Sequence, residues 1–311
     1  MKRNKFATIQ IDVDGLWVIF QHFGIEKYNQ DDILYNIAVP RFLDLFDSYK
    51  LKATLFVVGH DLLDPTRAAF LKQAVRRGHE IANHSMSHAE GFSFKSRNDK
   101  IKEIAEAEKI IESTLGVRPY GFRTPSNDVD EETLDILESR GYLYDSSVIP
   151  TFWGPLLKRI KFAKLKVDRT DNYLGKWHYG LCPLSPYHPS PKALHKKGSM
   201  KLWEVPITTM PLFRFPFHTS FVMATMHFGL NTFLFDLGYF LLQLFDVPYN
   251  FVFHTNELAD PIENDQLKRQ FGLSIPIKKK KALCHHVLAK IAKNYSFITT
   301  QKLVEHYSKL K

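Results

Sequence analysis

The sequence is poor in cysteine: Cys182 and Cys284 are the only two in 311 residues. Two thiols cannot build a disulfide scaffold or a cysteine-based zinc module. Glycine and proline are also sparse, at 15 and 16 residues, which excludes a collagen-like or linker-dominated chain. Acidic residues are in the minority: 33 Asp and Glu stand against 42 Lys and Arg, for a net charge of +9. That balance favours an anionic partner, whether nucleic acid, a phosphorylated substrate or an acidic membrane surface. No apolar stretch of signal-peptide length follows the basic Met1–Lys5. The expectation is therefore a cytoplasmic chain without a secretory signal. Long uncharged runs are rare. One is Phe215–Phe235, which lacks Asp, Glu, Lys and Arg and is long enough to span a bilayer. Pro216, His218, Thr219, Ser220, His227 and Asn231 within it argue against insertion. What the chain does have is 44% hydrophobic residues and 14% aromatics, enough for a substantial core and too many for a disordered chain.

Apolar and polar residues alternate between strand and helix periods along the first half. Phe6–Val13 reads as a strand and Ile33–Tyr49 as a helix. Ala53–Val58 is a strand closed by Gly59, and Leu62–Arg77 is a helix stopped by Gly78. Ile81–Asn83 is a short buried strand. Asp99–Leu115 is an amphipathic helix ending at Gly116. Tyr120–Arg123 (strand), Glu131–Arg140 (helix) and Tyr142–Tyr144 (strand) continue the pattern. Such repetition indicates an α/β fold with a largely parallel sheet or barrel. In these folds functional groups gather at the C-terminal ends of strands.

The pattern weakens after Thr151. Residues 150–201 read as a loop-rich insertion, and 208–246 as an apolar segment in which Thr232–Phe245 is expected to be a buried helix. Leu202–Ile207 and Tyr249–Phe253 read as strands. Leu283–Lys293, Phe297–Thr299 and Gln301–Leu310 close the chain as helix, strand and helix, with the Lys278–Lys281 run as a solvated loop. No repeat or linker is evident, so the expectation is one domain over 1–311.

Four clusters carry chemistry. Asp12 and Asp14 are two apart on a strand, so both face one side just before Gly15. Close carboxylates repel unless one binds a metal or takes a proton, which suits one ligand and one general base. His84 and His88 are four apart, a spacing that on a helical turn lets two imidazoles chelate a divalent ion. With one of the aspartates they form a His–His–carboxylate set with open positions, the pattern of a catalytic site. Arg123 follows a short strand, where a guanidinium can orient a carboxylate base and keep it ionised. His254 ends the strand Tyr249–Phe253, placed to act as a general acid.

The stretch Lys52-Ala53-Thr54-Leu55-Phe56-Val57-Val58-Gly59, followed by Arg77-Gly78-His79-Glu80-Ile81-Ala82-Asn83-His84-Ser85-Met86-Ser87-His88, resembles the polysaccharide deacetylase (NodB-homology) family. Asp12-Val13-Asp14-Gly15 is similar to its first motif and Arg123-Thr124-Pro125 to its third. Gly141-Tyr142-Leu143-Tyr144-Asp145-Ser146-Ser147 resembles the strand leading into its fourth, and Val252-Phe253-His254 its last. The resemblance implies a distorted, mostly parallel β/α barrel with one divalent metal, often zinc. Asp14, His84 and His88 would hold the metal. Asp12 would be the general base, Arg123 would hold it in place, and His254 would protonate the leaving amine. The implied enzyme is a metal-dependent hydrolase that removes an acyl group, acetyl or formyl, from an amino sugar. Val13 separates acids that are usually adjacent in the family. The Asp-Val-Asp form is similar to deformylases acting on a lipid-phosphate-linked amino sugar. His254-Thr255-Asn256-Glu257 stands where such a subfamily reads His-Pro-Trp-Glu, and Trp153 is the candidate for the fourth motif's aromatic wall.

Three features bear on the sugar's carrier: the expected cytoplasmic location, the alternation of cations and apolar residues in Lys158–Lys166, and the uncharged Phe215–Phe235. A lipid-phosphate-linked sugar met by peripheral contact with the inner membrane face would use all three. The alternatives are a soluble or polymeric glycan, and a non-catalytic glycan- or lipid-binding pseudoenzyme, which would be expected to have lost a ligand or the base. A two-metal phosphoesterase needs more ligands than this set provides. Nucleic-acid binding would account for the charge, but no motif supports it.

Overall fold

The computed structural model describes residues 5–23, 32–165, 176–263, 267–270 and 272–310. Its centre is strand β1 (Phe6–Val13). Ala7, Ile9, Ile11 and Val13 point into the main apolar core, so Thr8, Gln10 and Asp12 point the other way. Neighbouring strands are β2 (Thr54–Val57), β3 (Glu80–Asn83), β4 (Gly121–Phe122), β5 (Tyr144–Asp145), β8 (Trp203–Glu204), β9 (Tyr249–His254) and β10 (Ser296–Phe297). They pair in the order β10-β1-β2-β3-β4-β5-β8, with β9 also against β1, and every pair in this sheet is parallel. The sheet curls until the segment after β8 meets β9: Thr208 N–H donates to Asn250 O at 3.0 Å, and Asn250 Nδ2 donates to Pro206 O at 3.0 Å. The result is the expected distorted, mostly parallel β/α barrel.

Helices cover the outside, and three of the first five have a side-chain cap at their start. Helix α1 is Leu16–His22 and α2 is Val39–Ser48. Helix α3 (Pro65–Arg76) starts with Pro65 and an Asp64 cap, and α4 (Arg97–Leu115) runs from a Ser96 cap to left-handed Gly116. Helix α5 (Glu131–Ser139) is capped by Asp130.

The second half departs from expectation in three places. The stretch 150–201 holds helix α6 (Gly154–Leu165) and a hairpin of β6 (Pro189–Ser190) and β7 (Ala193–Lys197). Alternating cations and apolar residues obscured the helical period of α6. Lys166 lies outside the described residues, as do the side chains of Lys161 and Lys164. Phe215–Phe235 is broken into α7 (Thr219–Ala224), a turn and the start of α8 (Asn231–Leu244). Helix α8 buries only Phe235, Gly238, Tyr239 and Leu242, so it is a surface helix and not the buried one expected. Among the described residues no helix is long and apolar enough to cross a membrane. Third, Lys278–Lys281 is the first turn of α9 (Ile277–Ala292) and not a loop. Lys280 is buried there, donating to the carbonyls of Asn256, Ala259 and Gly272. Helix α10 (Thr300–Lys309) follows β10.

Candidate active site

Strand register gathers the site. Val13 pairs with Val57, Val57 with Asn83, Asn83 with Phe122, and Phe122 with Asp145. The residues one step further, Asp14, His84, Arg123 and Ser146, therefore emerge side by side at the C-terminal edge. On the other side of β1, Asp12 pairs directly with His254.

His84 and His88 come together, with ring centroids 5.1 Å apart, but not on a helical turn. Ser85 and His88 have positive φ of 66° and 47°, which no helix contains. The loop is held from outside. Asn83 Oδ1 accepts the Ser85 N–H at 2.8 Å, and Gly59 N–H donates to Ser85 O at 2.9 Å. The Glu103 carboxylate accepts Met86 N–H, Ser87 N–H and the Ser87 hydroxyl. The four-residue spacing thus brings the imidazoles together by a different backbone from the one expected.

Asp14 completes a set of three. Its Oδ1 lies 3.7 Å from both His84 Nε2 and His88 Nε2, and one donor atom from each residue lies within 4.8 Å of the others. His84 Nδ1 meets the Arg123 carbonyl at 2.8 Å. That bond uses the Nδ1 proton and leaves the Nε2 lone pair facing Asp14. Two imidazole nitrogens and one carboxylate oxygen so arranged fit one divalent ion. The chain beyond Asp14 is pinned by buried Asp61, which accepts Gly15 N–H at 3.1 Å, Trp17 Nε1–H at 2.6 Å and a 2.6 Å bond from Arg67. A side chain at position 15 would collide with Asp61 and Trp17, so glycine is required there. Burial pushes the Asp61 carboxyl up to about 7, although Trp17 and Arg67 bond to it.

Asp12 does not join this set. It faces Arg123, whose guanidinium donates to Asp12 Oδ1 at 2.5 Å, to Gln10 Oε1, and through Nε to Ser146 O at 2.8 Å. The guanidinium also stacks 4.1 Å from the Phe56 ring. Burial alone would raise the Asp12 carboxyl, but Arg123, with His84 and His254, outweighs it and holds the group below the usual carboxylate range. His254 Nε2 lies 3.6 Å from Asp12 Oδ2. Burial would lower this imidazole, yet Glu257, Asp12 and Asp14 together hold it above the ordinary histidine value.

All six residues expected at the site therefore converge: Asp12, Asp14, His84, His88, Arg123 and His254. Trp153 is not with them; it stacks on Phe215 at 4.8 Å and donates to Phe213 O at 2.6 Å. Sequence reasoning assigned no role to Ser220 and Glu257, which bond around His254. The three-residue step from His254 to Glu257 has the spacing of a capping box and was the available signal for one of them. The site opens into a cavity of about 420 Å³. Apolar residues, among them Leu157 and Ile160 of α6, Ile207, Pro216 and Phe221, line it together with Lys158 and the titratable groups.

Residues 30–144 match the polysaccharide deacetylase family. The matched span contains His84, His88 and Arg123; Asp12, Asp14 and His254 lie outside it and are brought alongside by the sheet. A peptidoglycan deacetylase of Helicobacter pylori is 27% identical over 173 residues, covering 54% of this chain and 58% of that protein. A peptidoglycan deacetylase-like protein of Gibberella zeae is 32% identical over 154 residues, covering 47% and 45%. The chain thus spans about half the length of these curated relatives. Among solved structures, a polysaccharide deacetylase homologue from Mycobacterium smegmatis aligns over 100% of this chain and 93% of its own, with a TM-score of 0.61 at 17% identity, a likeness of fold.

Proposed function

From the match of residues 30–144 to the polysaccharide deacetylase family, we propose that the chain is a metal-dependent hydrolase that removes the N-acyl group of an amino sugar. The observation that carries this reading is the placement of Asp12, Arg123 and His254 around the Asp14–His84–His88 set. Asp14, His84 and His88 would hold one divalent ion, zinc being the natural choice for two imidazoles and a carboxylate. Such an ion polarises the amide carbonyl and stabilises the developing oxyanion.

The chain's own residues supply the proton transfers. Asp12, kept ionised by Arg123, takes a proton from the attacking water as its oxygen bonds to the acyl carbon. His254, whose Nε2 lies 3.6 Å from Asp12 Oδ2, gives its Nε2 proton to the nitrogen as the carbon–nitrogen bond breaks. The products are a carboxylic acid and a free amino sugar. Each transfer contributes roughly 10²–10⁴-fold. The opposite shifts of the two groups favour these roles: Arg123 lowers the Asp12 carboxyl, and Glu257 and Asp12 raise the His254 imidazole.

For the sugar's carrier, the apolar residues lining the cavity and Lys158 among them favour a lipid-phosphate-linked substrate over a polymeric glycan. A hydrocarbon chain would lie along Leu157, Ile160 and Phe221, with a phosphate near Lys158, and the protein would meet it by peripheral contact at a membrane surface. The decisive experiment is amine release by the metal-loaded protein from three acceptors: a free N-acetylated amino sugar, its oligomer, and its polyprenyl-phosphate conjugate. Turnover lost in Asp12→Asn and His254→Ala supports the mechanism, and faster turnover of the conjugate supports the carrier. No release from any of the three would sink the hydrolase reading.

A further inference from the structure

Behind the His254 ring, on the side away from Asp12, lie buried Glu257 and half-buried Ser220, which the proton transfers above do not use. Glu257 is 1% exposed, with Oε1 3.4 Å from His254 Nδ1. Its other oxygen accepts the backbone N–H of His254 at 3.2 Å. Ser220, on the first turn of α7, donates its hydroxyl to Glu257 Oε1 at 2.7 Å, and its Oγ stands 3.1 Å from His254 Nδ1. The end of β9, the turn Thr255–Glu257 and α7 thus converge on one imidazole.

A carboxylate this buried needs donors for both oxygens. Ser220 and the His254 N–H supply two, and an Nδ1 proton on the ring completes the set. An imidazole ring has two edges. If it turned over about its Cβ–Cγ bond, Nδ1 would leave Ser220 and Glu257, and Nε2 would leave the site.

We propose that Glu257 and Ser220 are a positioning pair for His254: they hold Nδ1 protonated on their side and so keep Nε2 directed at the place where the leaving amine forms. The proposal rests on reading His254 as the general acid. Both act through the ring; Ser220 also lines the cavity, where its hydroxyl is tied back to Glu257. The backbone N–H of Glu257 also points at the His254 side chain as a donor, a contact that a bare Nδ1 would accept, so the proton on Nδ1 is what the experiment must read.

The test compares the metal-loaded wild type with Glu257→Gln, Glu257→Ala and Ser220→Ala, on an N-acetylated amino sugar and on an aryl acetate. An amine must be protonated to leave, whereas a phenolate departs unaided. A positioning pair therefore predicts a loss confined to the amide. For Glu257→Gln, kcat on the amide should fall about 10–100-fold, the scale set by outer-shell partners. KM and metal content should hold, and the aryl ester should stay within a few-fold of wild type. Ser220→Ala should show a smaller fall of the same selectivity and keeps the comparison open if Glu257→Ala fails to fold. Equal losses on amide and ester would overturn the proposal.

A second readout needs no turnover. ¹⁵N NMR of the His254 ring in the wild type should show Nδ1 protonated when the ring is neutral, and Glu257→Gln should redistribute the tautomers. A neutral ring with bare Nδ1, or a spectrum indifferent to position 257, would overturn the pairing. If the NMR signature is present while the wild type hydrolyses neither compound, the pairing stands and the hydrolase reading fails.

Discussion

His84 and Arg123 are joined through the main chain: His84 Nδ1 meets the Arg123 carbonyl at 2.8 Å, while the Arg123 side chain grips Asp12 at 2.5 Å. One residue therefore orients the His84 ring with its backbone and the Asp12 carboxylate with its guanidinium. If these are the metal donor and the base proposed above, the two roles would be chemically separable while their geometries share a support.

The metal set gives the first expectation. Purified protein should carry about one divalent ion per chain, and chelation should abolish turnover until metal is returned. His84→Ala or His88→Ala should lose the ion, because two remaining ligands bind far more weakly. Asp12→Asn should keep it, since Asp12 stands with Arg123 and outside the set. Elemental analysis decides; unchanged metal in both histidine variants would remove the site.

Breaking the buried pair should be costly. Arg123 is fully buried and bonds to Asp12, Gln10 and Ser146. Arg123→Ala leaves the Asp12 charge without its partner, a change that costs about 3–5 kcal/mol when one member of a buried pair is removed. Arg123→Lys retains a charge but loses the forked geometry, so it should fall between alanine and wild type. Urea denaturation measures both, and a loss under about 1 kcal/mol for alanine would mean that solvent screens the pair.

A pH dependence is expected from the buried carboxyls Asp145 and Glu204, next to Ser146, which bonds Arg123. Burial raises both Asp145 and Glu204, and the two hydrogen-bond each other, with Glu204 as the group that keeps its proton. The folded state thus holds protons that the unfolded chain releases at ordinary carboxylate values. Stability from this pair is fully present below the unfolded values and is lost as pH rises through the raised folded ones. Glu204→Gln mimics the protonated acid and cannot ionise. Its Tm relative to wild type should therefore increase from acid to neutral pH. A difference independent of pH would mean that neither group is raised.

Much of this site is legible along the chain because strands order it. Asp12 and Asp14 follow from the period of β1, and His84, Arg123 and His254 each stand at a strand end. The links between these groups are not legible. Ser220 reaches His254 from 34 residues away, inside a segment whose lack of charge suggests only core or membrane. The positive φ of Ser85 and His88 depends on Glu103, on a helix 16 residues further along, which no local spacing encodes. Helix α8 misled for another reason: its apolar residues occur on nearly every face, so no period tells which face is covered.

That uncovered face supports the last prediction. Phe233, Leu237, Phe240 and Leu244 of α8 are 63%, 41%, 58% and 63% exposed, at spacings of four, three and four that place them along one side of the helix. A stripe of this kind marks a surface that meets another apolar phase. If the proposed lipid-linked substrate is correct, this stripe would be the part that meets the membrane, with Lys158 and Arg159 on α6 and Lys158 lining the cavity, in a chain of net charge +9. Each basic residue close to an anionic leaflet contributes on the order of 1 kcal/mol, screened by salt, whereas inserted apolar side chains contribute a part that salt does not remove. The protein should co-sediment with vesicles containing anionic lipid and be only partly released by high salt. Phe233→Ser with Phe240→Ser should abolish the salt-resistant fraction, and Lys158→Gln with Arg159→Gln should reduce the salt-sensitive one. Neither double variant should change the metal content, since none of the four residues belongs to the Asp14–His84–His88 set. No vesicle binding, together with a concentration-dependent dimer that Phe240→Ser disrupts, would assign the stripe to a second copy of the chain and leave the sugar to be taken from solution.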